Sequence, residues 1–103
     1  GYVYHAKEGY TLEGAQVICY KLNESTLEYE PWDAATWGQI NPQQTDADGY
    51  YSFIVPPGQY KVEATYPGLL STLSPVLTVV DAPVHYNIPL YSALYTFLPV
   101  MRR

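Results

Sequence analysis

Asp46, Asp48 and Gly49, in the run T-D-A-D-G, have the types and spacing that begin a calcium loop. A complete loop of that kind needs a bidentate acid about six residues after its glycine, and Val55 stands there. An Asx turn accounts for all three residues instead: the aspartate side chains accept nearby backbone N–H groups and the glycine takes a positive φ. His5 and His85 are conceivable as a metal pair between two strands. Neither H-x-H nor H-x-x-x-H spacing is present, so packing or surface roles are expected, with no metal and no cofactor. Cys19 is the one cysteine and lies in phase with Ala15 and Val17; it reads as a small core hydrophobe rather than a reactive thiol. The serines at 25, 52, 71, 74 and 92 lack the G-x-S-x-G turn of an activated nucleophile, and the chain reads as not an enzyme.

The remaining chemistry-bearing group is aromatic. Trp32 and Trp37 lie five residues apart, with Tyr29 nearby, in a polar loop that also holds Asp33, Gln39, Asn41, Gln43 and Gln44. Exposed rings beside amides and carboxylates stack sugar rings, so Trp32, Trp37 and Tyr29 are the candidate ligand-binding residues, with polysaccharide as the ligand class. The competing expectation, and the favoured one, is that the loop folds over the outer face of Ile18 and Tyr20 and buries both indoles. Asn23-Glu24-Ser25 is a glycosylation sequon by pattern.

The elements that must position these residues are strands. A chain of 103 residues, 48% hydrophobic and 15% charged, has one modest core, and twelve tyrosines favour half-wet β surfaces. The net charge of −5, with five Lys and Arg, argues against nucleic acid and anionic membrane as partners. No apolar run is long enough to insert in a membrane as a helix, and the chain starts at Gly1 as though cut from a longer protein. Residues 50–55 are aromatic or β-branched except Ser52, and Pro56-Pro57-Gly58 stops them; residues 60–65 alternate in turn, so the two runs are expected to form a rigid-ended hairpin. Further strands are expected over residues 2–6, 15–22, 27–30, 39–44, 73–80 and 84–90, with Leu12 plugging the core edge. Asp33 could cap a single helical turn over residues 34–37. Short strands roughly ten residues apart with Gly/Pro turns indicate an all-β sandwich. Residues 91–103 form a C-terminal extension, too apolar at Tyr95, Phe97 and Val100 for a free tail; an added edge strand or a docking segment is expected, with Tyr95 and Phe97 as its contacts.

Gly14-Ala15-x-Val17, Thr45-Asp46-Ala47-Asp48-Gly49-x-Tyr51-x-Phe53 and Pro56-Pro57-Gly58-x-Tyr60-x-Val62, in that order, resemble the carboxypeptidase regulatory-like domain. It is a transthyretin-like, seven-stranded Greek-key sandwich, similar also to the Cna B-type repeats of bacterial surface adhesins. The likeness covers residues 1–90, with 23–44 longer than usual. It implies a non-catalytic structural or interaction module of a secreted or cell-surface multidomain protein, whose partners are neighbouring domains. Two further readings are a carbohydrate-binding accessory domain using the Trp32/Trp37 loop and a regulatory domain docked to a peptidase. Some Cna B-type members carry a Lys–Asn isopeptide bond. Here the family's lysine position falls on Val3 and its acid on Ala64, leaving Lys7, Glu63 and Asn87 out of register, so no such bond is expected. Intradiol dioxygenases share the fold class, but their iron site needs a pair of histidines that this spacing does not supply.

Overall fold

The structure, a computed structural model, describes residues 1–93. The described chain is all-β, built as two sheets around one core. Its nine strands are β1 (Val3–His5), β2 (Gln16–Asn23), β3 (Glu28–Pro31), β4 (Gln43–Gln44), β5 (Gly58–Thr65), β6 (Leu69–Leu70), β7 (Thr72–Leu73), β8 (Leu77–Val79) and β9 (Ile88–Ser92). One sheet has the order β1-β9-β6. The other runs β3-β2-β5-β7, with β4 added on β2 and β8 on β5.

The larger sheet follows directly from the sequence period. Val17 and Cys19 of β2 and Tyr60, Val62 and Ala64 of β5 are buried, while Ile18, Tyr20, Lys61 and Glu63 between them are half-exposed on the outer face. On that face the Tyr20 hydroxyl donates to Glu63 Oε1 at 3.0 Å. The smaller sheet closes the core with Val3, Ile88 and Leu90, all fully buried, and Leu12 fills its edge at 4% exposure. β1 and β9 pair in parallel, Val3 level with Ile88 and His5 with Leu90.

The expected hairpin around Pro56-Pro57 is an arch between sheets. Tyr50 bridges Tyr2 beside β1, whereas β5 lies at the centre of the other sheet between β2 and the pair β7/β8. Residues 51–55 are extended but form no strand ladder. Two adjacent prolines remove two donors at the crossing, so the arms have no backbone rung to share there. Tyr60 Oη instead donates to Pro56 O at 2.5 Å and pins the arch from inside.

Other boundaries move for equally local reasons. The strand expected over 73–80 is split into β7 and β8 at Ser74-Pro75, where the buried Ser74 Oγ accepts from Val62 N at 2.9 Å and donates to Pro75 O. The strand expected over 84–90 begins at Ile88 and runs through Ser92. Only Gln43–Gln44 of the expected 39–44 strand is paired. The single turn is a 3-10 turn at Ala35–Trp37, and Asp33 accepts from Thr36 Oγ1 rather than capping its backbone.

Candidate functional site

The three aromatic candidates do not form one platform. Trp32 continues the β3 edge, donating its N–H to Cys19 O at 2.9 Å, and its indole enters the core, 7% exposed. It lies on the inner side of the sheet, not over Ile18 and Tyr20 as expected. Trp37 is 53% exposed and rests on Trp32 with ring centroids 6.5 Å apart; Phe53 meets Trp32 edge-on at 6.4 Å. Tyr29 stands level with Leu22 on the outer face, under Lys61 Nζ at 4.6 Å from its ring centre. One exposed indole remains of the expected three rings. Tyr95 and Phe97, the expected contacts of the tail, lie outside the described residues.

The loop's amides do work that its sequence did not announce. Gln39, Asn41 and Gln43 are spaced two apart, and each uses its side-chain amide as a substitute peptide group. Gln39 accepts from Ile54 N at 2.9 Å and donates to Ile54 O at 2.6 Å. Gln43 accepts from Ser52 N at 3.1 Å and donates to Ser52 O. These paired bonds are what a neighbouring strand would give residues 52 and 54. Asn41 turns to β2, accepting from Cys19 N at 2.9 Å and donating to Cys19 O at 2.8 Å and Trp32 O at 2.9 Å. It fills the step where the edge of β2 changes partner from β3 to β4.

Beyond residues 51–55 opens a hollow of about 570 Å³, between that segment and residues 79–85. Cys19, Tyr60 and Val62 line its apolar inner side, and Gly1 closes one end. Burial pushes the Cys19 thiol up to about 12 and, with the Cys19 charge adding to it, Tyr60 to about 12. Burial also raises Tyr51, whose hydroxyl donates to Tyr86 O at 2.7 Å. Burial thus keeps this thiol and both phenols neutral at ordinary pH. The sign for stability follows. Each group is neutral in both states below its unfolded value, 9.0 for the thiol and 10.0 for the phenol, and above it only the unfolded chain ionises freely. The contribution of these two groups is therefore expected to be flat up to about pH 9 and to fall progressively toward pH 12, read as a urea midpoint that declines over that range. A midpoint that stays constant to pH 11 would contradict the burial of both groups.

The other chemical sets are dispersed. His5 is level with Leu90, five residues along from His85, roughly 16 Å at strand rise, so they form no pair. His5 Nδ1 accepts from Glu8 N at 3.1 Å and its ring packs on Tyr10. Among the described residues no three His, Cys, Asp or Glu gather in a metal-holding group. Asp46 Oδ1 accepts from Asp48 N and Tyr50 N at 2.9 and 3.0 Å, the expected Asx turn. Val3 and Ala64 are fully buried, while Asn87 Oδ1 takes Tyr2 N and Glu63 lies on the outer face. Asn87 thus lies beside β1 and Glu63 on the outer face of the other sheet. Asn23 of the sequon accepts from Ser25 N and Thr26 N and donates to Glu30, closing the β2–β3 turn. No protein-family model matches the chain, and no curated protein matches it.

Proposed function

We propose that this domain is a non-catalytic, load-bearing module of a secreted or cell-surface multidomain protein, a transthyretin-like Greek-key sandwich of the carboxypeptidase regulatory-like kind. Neighbouring domains of the same protein or other surface proteins are its partners. The parallel pairing of β1 with β9 is the observation that carries the reading. Tension applied ahead of β1 and beyond β9 pulls two parallel, adjacent strands in opposite directions. Their hydrogen bonds, including Ile88 N to Tyr2 O and Ala6 N to Leu90 O at 2.8 Å each, then bear load together instead of opening one by one. Val3, Ile88 and Leu90 exclude water from that seam. The spending of Gln39, Asn41, Gln43, Thr45 and Ser74 on backbone groups supports the same reading, since polar side chains committed to the main chain stiffen it.

Single-molecule pulling tests it. With handles at residue 1 and beyond residue 92, the domain is expected to break in one event at a clearly higher force than with handles at residues 9 and 92, which peel β9 from one end. Equal forces in the two geometries would refute the load-bearing reading. A second reading, a polysaccharide-binding accessory role, rests on the exposed Trp37 braced by Trp32. Under it, migration through polysaccharide-loaded gels is retarded and Trp37→Ala abolishes the retardation without changing Tm; no retardation on any polysaccharide removes that reading.

A further inference from the structure

We propose that the outer face of the larger sheet is a contact between two copies of this chain, packed face to face about a two-fold axis. The inference concerns how copies meet and does not depend on the load-bearing reading.

An antiparallel sheet with one face on the core normally turns polar side chains to water on the other. Here the middle of the outer face is apolar. Ile18, Tyr20 and Leu22 of β2 form its spine, half-exposed, and on one side Tyr29 stands level with Leu22 and Pro31 with Tyr20. On the other side Leu73, 51% exposed, stands level with Glu63. Polar pairs bound the patch, Gln16 with Thr65 at one end and Gln59 with Thr78 at the other. An apolar centre inside a polar margin is the make-up of a protein contact rather than of a solvated sheet.

The charges on this face select the occupant. By register Lys21, Glu28 and Glu30 belong to the opposite face, which leaves Lys61 and Glu63 as the charged outward positions of the paired strands. Aromatic side chains hold both in place: Lys61 Nζ lies 4.6 Å from the Tyr29 ring centre, and Glu63 Oε1 accepts from the Tyr20 hydroxyl at 3.0 Å. Neither has an ion-pair partner among the described residues. Lys61 is level with Tyr20 and Glu63 with Ile18. A two-fold axis crossing the strands midway between these two rows therefore sets each Lys61 over the partner's Glu63, and each Ile18 over the partner's Tyr20. The patch is its own complement. It is also neutral on a chain of net charge −5, so copies repel one another least along it.

The size of the face sets the strength of the contact. Four strands wide and about six residues long, it measures roughly 19 by 20 Å, or about 400 Å². That is about half the area per partner of a lasting complex, so the dimer is expected to be reversible and to form in the micromolar to millimolar range.

Sedimentation equilibrium of the 103-residue chain up to millimolar concentration tests this, with charge exchange as the specific probe. Wild type is expected to pass from monomer to dimer and stop there. Lys61→Glu gives a face with two acids and Glu63→Lys a face with two lysines, so each variant alone should need roughly tenfold more protein, or more, to dimerise. An equal mixture of the two should recover dimer, because each then meets its opposite, and the double variant carrying both changes should pair with itself as wild type does. Melts of each variant at a concentration where wild type is monomeric check that the fold is kept. A chain that is monomeric at every concentration overturns the proposal, as does growth beyond dimer, or a mixture that dimerises no better than its two components. The pulling experiment reads one molecule at a time, so its result stands or falls separately from this one.

Discussion

Gly49→Ala is expected to lower the unfolding free energy by about 3–5 kcal/mol and Tm by roughly 10 °C or more. Two costs combine at this position. Gly49 has φ +78°, where an L side chain is strained, and a Cβ there would lie 2.6 Å from Thr11 Cβ and 2.9 Å from Leu12 N. The second neighbour is backbone and cannot swing away. Gly49 O also accepts from Val3 N at 2.9 Å and Leu12 N donates to Val3 O, so the chain cannot yield without opening the start of β1. Gly68→Ala is the matched control, since Gly68 has φ +85° with nothing within 4 Å of the added atom. Strain alone should cost it about 1–2 kcal/mol. Urea melts of the two variants that coincide would mean that the approach of Thr11 and Leu12 is looser than described.

Asn41→Asp carries the other large effect, about 3–5 kcal/mol at neutral pH. The wild-type amide donates to two carbonyls, Cys19 O and Trp32 O, and accepts from Cys19 N. A carboxylate keeps the acceptor and loses both donations, setting negative charge against two carbonyl oxygens. Its own pKa must then rise above the unfolded value near 3.9. Such a group is least damaging below that value, where the carboxyl is neutral in both states and can donate once, and most damaging as pH climbs through the raised folded pKa. The variant's deficit against wild type should therefore shrink on acidification from pH 7 toward pH 3, by paired thermal melts. A deficit that does not change with pH would show that the charge at this position is not what costs stability.

Much of the larger sheet was legible because its period is unambiguous. Val17 and Cys19, and Tyr60, Val62 and Ala64, alternate with polar or half-wet residues, and each is buried where the alternation puts it. Cys19 as core, Leu12 as plug and the Asx turn at Asp46 were readable for the same reason: one local rule decides each. The arch was not. A run such as 50–55 has one composition whether its partner is a strand or a pair of glutamine side chains, and Pro56-Pro57 ends a strand without saying to which sheet the chain goes next. Trp32 and Trp37 show the same limit at the candidate site. Both are indoles in one loop, and only the rung from Trp32 N to Cys19 O sends the first inward while the second stays in water. The one signal available for the amide clamp was the spacing of Gln39, Asn41 and Gln43, a period of two in polar residues where a period of two is normally sought among apolar ones.

Asn41 is followed by Pro42, and that neighbour bears on how the protein ages. Asparagines convert slowly to aspartate when the nitrogen of the next peptide group attacks the side-chain carbonyl carbon and expels ammonia through a cyclic imide. A proline nitrogen has no hydrogen to give up and is already closed into its ring, so the imide cannot form at Asn41. The amide that ties Cys19 to Trp32 is thereby shielded from the spontaneous route to acid.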